Sequence, residues 1–349
     1  MVEKEKKMSG FYEEVKTQPS KLAVLLNEYK QENYKSVRDV AAVMTQAKHV
    51  YFAGMGTSLN VVDCILGRLS KRLSVSALEA GELLEMPELL KEGDVLVMIS
   101  QSGESIEICH LLDRLKGKVR TIGITNNADS ALATRSDLSL LLHAGEEASI
   151  TNKTFTNTMA LLYMLEAAIN EKSLEHLDEV LRASIPLMEE VLNAREEEIE
   201  QFTQLMSPAD VIHFISAGPA ASALAKQSGL IFMEGAQCAA RAFSVGGFRH
   251  GPIEICSRDH RAVLYLSDAK YVGKALNLAK EMKYNGSEVI VVSNQFIDFD
   301  SCFFVGNIAE EGYAMVGALF MEALLYRVAA MRGVEAGKFH ITSKICKKE

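Results

Sequence analysis

The sequence predicts an α/β protein made of two similar units in tandem. Apolar runs of five or six residues alternate with segments that place apolar residues at helical spacing, which is typical of a parallel sheet buried on both faces. The strand-like runs beginning at Val50 and Val95 recur about 160 to 170 residues later at Val211 and Ala262. The length of 349 residues also suits two domains better than one core.

Two predicted helices, over residues 21–32 and 36–47, introduce the first unit because their apolar residues recur at helical spacing. The elements predicted after them are a strand over residues 49–53, a helix over 59–72, a strand near Val75, a strand over 94–99, a helix ending near Leu115, and strands over 120–125 and 137–142.

Residues 153–206 carry few strand signals and predict long, acidic helices that connect the two units. The second unit is predicted to contain strands over residues 211–215, 262–266, 289–292 and 302–305, with helices ending at Glu234 and covering 271–284. We therefore divide the chain into a lead-in (1–34), a first domain (35–172), a helical connector (173–206), a second domain (207–332) and a tail that folds over the active site (333–349).

Composition and charge exclude several classes of function. The chain is 48% apolar and 24% charged, which predicts a packed globular protein, and its net charge of −9 argues against a nucleic-acid partner. No run approaches the roughly 18 consecutive apolar residues of a membrane span, and residues 1–10 lack the apolar region of a signal peptide. The six cysteines are scattered without a CxxC pair, so we expect a cytoplasmic protein with neither a metal site nor a disulfide framework.

The turn of residues 100–105, Ser-Gln-Ser-Gly-Glu-Ser, is the first candidate site. It joins a buried strand to a helix, so N–H groups and hydroxyls converge where the helix dipole favours an anion, and glycine permits close approach of a ligand. One serine here would be only the N-cap of the helix. Three serines, a glutamine and a glycine at the carboxyl end of a strand favour an anion site instead. The candidate ligands are Ser100, Gln101, Ser102 and Ser105.

A second hydroxyl-rich turn, Gly56-Thr57-Ser58, follows the preceding strand. Two such turns on one edge of a sheet fit a phosphate together with neighbouring sugar hydroxyls. Neither turn is a Walker A loop or a GxGxxG sequence, so a nucleotide is not expected. The matching turns of the second unit carry alanines and an aspartate, and we therefore assign the phosphate to the first unit.

A glutamate and a histidine sixteen residues apart form another candidate constellation. Glu234 ends an apolar helix, where burial would raise its pKa and suit it to general-base work; alone, it is an ordinary helix-end glutamate. His250 lies between glycines in residues 246–252, Gly-Gly-Phe-Arg-His-Gly-Pro, which indicates a shaped turn, although a lone histidine is more often structural. Lys344 lies in the basic tail. It is either an ordinary exposed charge near the chain end or part of a segment that folds back onto the two domains.

These motifs together resemble the sugar isomerase (SIS) superfamily. The resemblance rests on the turn of residues 100–105, on residues 56–58, on residues 151–156 (Thr-Asn-Lys-Thr-Phe-Thr) and on residues 249–252 (Arg-His-Gly-Pro). The tandem arrangement is similar to the isomerase half of glucosamine-6-phosphate synthase from about residue 11 to residue 349. It implies two mostly parallel five-stranded sheets, each in a flavodoxin-like α/β/α arrangement.

The resemblance also implies roles for single residues. In that family the two hydroxyl turns hold the sugar phosphate, which here implies a substrate-binding set of Gly56, Thr57, Ser58, Ser100, Gln101, Ser102, Ser105, Thr151 and Lys153. The implied catalytic residues are Glu234 as the proton-transfer base, His250 in ring opening, often from the other subunit, and Lys344 at the open-chain carbonyl. The implied assembly is a homodimer or a dimer of dimers.

Departures from the synthase narrow the expected function. This chain shows no glutaminase domain, so we do not expect it to take ammonia from glutamine by itself. Residues 231–234, Ile-Phe-Met-Glu, resemble the fructosamine 6-phosphate deglycases instead. We therefore expect a cofactor-independent enzyme that splits a 6-phosphofructosamine into a hexose 6-phosphate and an amine. The alternatives are a phosphosugar aldose–ketose isomerase, an amino-sugar-phosphate deaminase, and a non-catalytic sugar-phosphate sensor.

Overall fold

Two five-stranded sheets form the centre of the molecule. The computed structural model describes residues 10–206 and 209–341 of the chain. The strands are β1 Val50–Gly54, β2 Val75–Glu79, β3 Val95–Ile99, β4 Arg120–Thr125, β5 Leu138–Leu141, β6 Val211–Ala217, β7 Ala239–Ser244, β8 Arg261–Leu266, β9 Glu288–Ser293 and β10 Cys302–Phe304. The helices are α1 Gly10–Lys16, α2 Gln18–Gln31, α3 Lys35–Thr45, α4 Thr57–Asn60, α5 Asp63–Leu69, α6 Ala80–Glu85, α7 Ile106–Leu115, α8 Ala131–Arg135, α9 Lys153–Ile169, α10 Leu174–Asn193, α11 Glu196–Met206, α12 Pro219–Ala236, α13 Val245–Arg249, α14 Val272–Tyr284 and α15 Glu310–Met331.

Both sheets are parallel and have the same strand order. The first is ordered β2-β1-β3-β4-β5 and the second β7-β6-β8-β9-β10, so each half reads 2-1-3-4-5 when its strands are numbered from its own first strand. The predicted fold class, two tandem parallel α/β units, is confirmed. In this order the first strand connects towards one edge of the sheet and the third strand towards the other, which creates a crevice between their carboxyl ends where ligands bind in such sheets.

One large core lies between the two sheets. It combines strand residues of both halves, such as Phe52 and Phe214, with the buried helices α9, α12 and α15. Two smaller cores cover the outer faces: α6, α7 and α8 pack on the first sheet, and α13 and α14 pack on the second. The halves therefore share most of their buried apolar surface, and helices from one half can reach the sheet edge of the other.

Three elements differ from the sequence prediction. The helix predicted over residues 59–72 is instead two short helices, α4 and α5, separated by a turn at Val61 and Val62. Strand β7 goes unpredicted because its sequence, Ala-Ala-Arg-Ala-Phe-Ser, has no apolar run and lies half-buried at the sheet edge. Helix α15 goes unpredicted because it is apolar on all sides, which leaves no amphipathic period to detect.

Helix α15 is also long and apolar enough to cross a bilayer, as judged by its 22 residues and their composition alone. Within the fold, however, 78% of its most apolar stretch is buried. It packs against α10, α11 and α12, and the fully buried Glu322 in its middle accepts a hydrogen bond from Gln18 of α2. We interpret α15 as the central core helix, since a helix buried on every side is apolar all round.

Candidate active site

A cavity of about 300 Å³ lies at the crevice of the first sheet. The turns after β1 and β3 form one side of it, and residues 149–151 and helix α12 form the rest. The structure thus brings together Gly56, Thr57, Ser58, Ser100, Gln101, Ser102, Ser105, Thr151 and Glu234 of the predicted site residues. Among the described residues that line the cavity, none is lysine or arginine. An anion there would be held by hydroxyls, N–H groups and helix dipoles.

The serines after β3 are arranged around one another. The Oγ atoms of Ser100 and Ser105 lie 2.8 Å apart, and the N–H of Gly103 donates to Ser100 Oγ at 3.2 Å. Ser105 occupies the N-cap position of α7, yet its side chain makes no capping hydrogen bond. By contrast, Ser130, the N-cap of α8, does accept a hydrogen bond from its helix. The Ser105 hydroxyl therefore faces Ser100 and the cavity, and the N-cap interpretation alone does not explain it.

Gly103 is required by the shape of this turn. Its φ of 68° lies in the left-handed region, and a side chain would meet the hydroxyl groups of Ser130 and, at 2.8 Å, Thr125. The backbone at this point is consequently pressed against the neighbouring turn. This close packing of Gly103 restricts the backbone conformation of the turn, and the turn holds Gln101 and Ser102 at the cavity.

Glu107, in the first turn of α7, also lines the cavity. One of its carboxylate oxygens, Oε2, is buried without a hydrogen-bond partner among the described residues. Sequence reasoning missed this residue because an acidic side chain in the first turn of a helix is ordinary. A buried acceptor with spare capacity beside a polar cavity suits the hydroxyl group of a sugar.

The loop that supplies Ser149 and Thr151 is held by a carboxylate from the lead-in. Glu14 of α1 accepts hydrogen bonds from the N–H of Ala148 at 2.6 Å, from the side chain of Asn152 at 3.0 Å and from the hydroxyl of Ser149. Partial burial alone would raise the pKa of Glu14, but the hydrogen bonds from Ser149, Ala148 and Asn152 together lower it. Glu14 therefore stays ionised and shapes one wall of the site.

A second buried carboxylate completes this support. Glu147 accepts from the N–H groups of Asn152 and Thr154 and from the hydroxyl of Thr154, at 2.8 to 3.1 Å. No local pattern in the sequence reveals the role of Glu14, because its contacts cross more than 130 residues of chain. The only signal is that residues 14–19 belong to the region of family resemblance.

Helix α12 brings the second half of the chain into the cavity. Asp63 of α5 accepts hydrogen bonds from Ser222 at 2.6 Å and from Lys226 at 2.7 Å, which ties α12 to the first half. Leu230 and Glu234, farther along α12, line the cavity. The expected burial of Glu234 is wrong: its side chain is exposed, because Ile231 and Phe232 face the core whereas Met233 and Glu234 lie on the exposed side of the helix.

Three other predicted residues lie outside the cavity. Lys153 is buried at the first turn of α9 and does not line it. His250 is exposed in the turn after α13, so it and Glu234 do not share a cavity within one chain. Lys344 lies outside the described residues. The described part of the tail ends beside the site, where Phe339 lines the cavity.

Comparison with known proteins agrees with this geometry. A family model described as "SIS domain" matches residues 43–168, which include both hydroxyl-rich turns. The chain is 28% identical over 264 residues to a glutamine–fructose-6-phosphate aminotransferase [isomerizing] of Sulfurisphaera tokodaii, covering 74% of this chain and 43% of the relative. The chain spans about half the length of the curated relatives it matches.

Solved structures share the whole fold. The C-terminal domain of glucosamine-fructose-6-phosphate aminotransferase from Francisella tularensis superimposes with a TM-score of 0.86 at 21% identity, covering 97% of this chain and 100% of that one. A glucosamine-6-phosphate deaminase from Thermotoga maritima gives 0.80 at 22% identity, covering 96% and 98%. Residues 43–168 therefore match a SIS domain, and the tandem parallel sheets of the whole chain have the fold of these two structures.

Proposed function

We propose that the chain is a sugar-phosphate enzyme that splits a 6-phosphofructosamine into a hexose 6-phosphate and a free amine. The observation that carries the proposal is the composite cavity, in which the hydroxyl-rich turns of the first half face Glu234 from the second half. A dianionic phosphate suits the turns, and a carboxylate at the open end of α12 suits proton transfer at the other end of a bound sugar.

The proposed reaction needs only groups that the chain supplies and one water. Ser58, Ser100 and Ser102 hold the phosphate, and Glu107 accepts a hydrogen bond from a sugar hydroxyl. Glu234 removes a proton from C1 of the open-chain ketosamine while O2 takes up a proton from solvent, which gives an enaminol. C2 then receives the proton from Glu234 and the nitrogen releases its N–H proton to solvent, so the product carries an imine at C1. Water adds to that imine, the C1–N bond breaks, and the amine leaves with the proton it gains.

An isomerase or deaminase is the second candidate. The curated relatives are named as isomerizing aminotransferases, and one protein of the same fold is titled a glucosamine-6-phosphate deaminase. Both reactions begin with the same transfer of a proton between C1 and C2. They differ from the deglycase in whether a carbon–nitrogen bond breaks, and in whether ammonia or a substituted amine leaves.

A substrate panel separates these candidates. The purified chain is incubated with fructosamine 6-phosphates of several amines, with glucosamine 6-phosphate and with fructose 6-phosphate, and free amine, ammonia and hexose 6-phosphate are measured. We expect amine release from the first group to be fastest. Turnover of fructose 6-phosphate alone would support the isomerase instead. Tight binding of a sugar phosphate without any turnover would support the sensor.

We also propose that the active form is a homodimer in which His250 serves the partner's cavity. The exposed position of His250 outside its own cavity supports this arrangement. Mixing inactive Glu234→Gln and His250→Ala chains tests it, since heterodimers would regain one site with both groups. If the subunits exchange and no activity returns, the two residues do not come from different subunits.

A further inference from the structure

Three apolar side chains from separate elements line the active-site cavity together with Glu234. Leu230 stands one helical turn before Glu234 on α12, and residues four apart lie on the same face of a helix. Ile150 comes from the loop between β5 and α9, and Phe339 comes from the tail after α15. We call Leu230, Ile150 and Phe339 the apolar wall.

Two close approaches of the backbone hold this wall at the end of α12. Gly235 lies so near the loop that a Cβ atom there would meet Cδ1 of Ile150 at 2.7 Å. Gly337 of the tail lies so near the same loop that a Cβ atom there would meet Cβ of Ser149 at 3.0 Å. The end of α12, the loop and the described part of the tail therefore meet at one place.

Phe339 is held at this place by packing. It is half-buried against the main core, whereas Lys338 and His340 on either side of it are exposed and Ile341 is 97% exposed. A phenyl ring fixed beside a polar cavity offers apolar surface that neither a phosphate nor a sugar hydroxyl uses. The wall therefore suits another part of a bound molecule.

The charges around the cavity restrict what that part is. The described residues that line the cavity include two carboxylates, Glu107 and Glu234, and neither lysine nor arginine. A substituent that carries a carboxylate would meet like charges there. An uncharged apolar substituent would instead be stabilised by leaving water for the wall.

The proposed reaction places the leaving amine at the wall. Its nitrogen is bonded to C1, the carbon from which Glu234 takes a proton, so the substituent on that nitrogen lies at the Glu234 end of the bound sugar. We infer that the apolar wall selects amines with an uncharged aliphatic or aromatic substituent, and that Phe339 is a specificity-determining residue. The inference rests on the proposed function and names its substrate class.

Two substrates of equal length test the inference. They are the 6-phosphofructosamines of butylamine and of 3-aminopropanol, which differ only in a terminal methyl or hydroxyl group. We expect kcat/KM of the wild type to be about tenfold higher for the butyl compound, because the methyl group packs on the wall whereas the hydroxyl loses its water.

Substitutions in the wall should reduce this ratio. Phe339→Ala should lower it about fivefold by removing apolar contact area, and Phe339→Leu, which stays apolar, should retain most of it. Phe296→Ala is the matched control: it removes a phenylalanine that is 89% exposed and does not line the cavity, and should leave the ratio unchanged. A ratio near one in the wild type, or a wild-type ratio in Phe339→Ala, would overturn the inference.

Two further measurements keep the result decisive. If Phe339→Ala does not fold, Leu230→Ala removes a wall residue on a different element and should lower the ratio as well; an unchanged ratio would overturn the inference. Calorimetric affinities of Glu234→Gln for both compounds test the wall without turnover. Preferred binding of the butyl compound by a chain whose wild type releases no amine would count against the deglycase and support the wall. Equal affinities for the two compounds would overturn the inference and leave the proposed function standing on its own assay.

Discussion

The two crevices of this chain share a backbone plan and differ in the side chains that line them. In the first, Ser58, Ser100 and Ser102 surround an open cavity. In the second, the corresponding turn carries Ala220 in place of a hydroxyl, and the N–H of Ala220 and the hydroxyl of Ser267 donate to the carboxylate of Glu310. The cavity beside this turn is lined by Arg249 and Lys274, whereas no described lysine or arginine lines the first. A duplicated sheet thus supplies the geometry twice, with different side chains in each copy.

The second half also contributes to the cavity of the first half. Its helix α12 begins at its own crevice, where Ala220 donates to Glu310, and ends at the crevice of the first half, where Glu234 lies. One 18-residue helix therefore joins the two sites. The comparison teaches that the second sheet serves as the support of a helix that completes the first site.

The largest expected effect comes from Glu234, which the second half contributes to the cavity of the first half. Glu234→Gln removes the proposed base but keeps the shape of the side chain, so turnover should fall by about 10² to 10⁴. Binding of the sugar phosphate should stay within a factor of a few, because the phosphate donors belong to the first half. Turnover and calorimetric affinity are measured on the same preparation.

Glu190→Gln provides the control for that prediction. Glu190 is an exposed glutamate on α10, far along the chain from either crevice, and its loss of charge should leave turnover unchanged. Wild-type turnover in Glu234→Gln would remove Glu234 from the mechanism. Equal losses in both variants would point to a general effect of the substitution.

The next effect separates the first crevice from the second. Ser102→Ala removes one hydroxyl donor to a dianion, which is worth about 1.5 to 3 kcal/mol, so affinity for the sugar phosphate should fall roughly 10- to 150-fold. Ser267→Ala, in the second crevice, should leave that affinity unchanged, because Ser267 donates to Glu310 and not to the substrate. An equal loss of affinity in both variants would contradict the division between the crevices.

A smaller effect is expected for the support of the first crevice. Glu14→Ala leaves the N–H of Ala148 without its acceptor and removes one of the acceptors of the Asn152 side chain, so the loop at Ser149 and Thr151 should loosen. We expect KM to rise about tenfold with kcat changed less, since Glu14 does not line the cavity. Glu14→Gln should not restore KM, because its amide NH₂ would meet donors. Full rescue by glutamine would show that the charge and acceptor pattern of Glu14 is not needed.

These contrasts also show how far sequence reasoning reaches in this fold. The apolar runs of the central strands and the turn of residues 100–105 are local signals, and the structure places those strands and that turn as predicted. Long-range contacts leave no local signal, so the roles of Glu14 and Glu310 were not predictable. The exposure of Glu234 does not follow from the apolar run before it, because only Ile231 and Phe232 of that run are buried and Met233 is exposed with Glu234.

The smallest effect concerns stability and is confined to the second sheet. His213 and His260 are buried there with their ring nitrogens 3.0 Å apart, and His260 also bonds to Ser287 at 2.9 Å. Burial, helped by His213 and Arg261, lowers the pKa of His260 to about 4. No histidine of the described first half is buried in this way.

Lowering the pH should therefore weaken the second sheet through this pair. The unfolded chain gains a proton at His260 near pH 6.5, while the folded chain resists protonation until about pH 4, so stability is present above pH 6.5 and is lost as the pH falls between these values. We expect the free energy of unfolding in urea to fall between pH 7 and pH 4.5, with about 1 to 2 kcal/mol of the loss due to the pair. His260→Gln should reduce this pH dependence although it is less stable at pH 7, whereas His110→Gln, at an exposed histidine of the first half, should not. The same pH dependence in all three chains would mean that acid acts on the two halves alike.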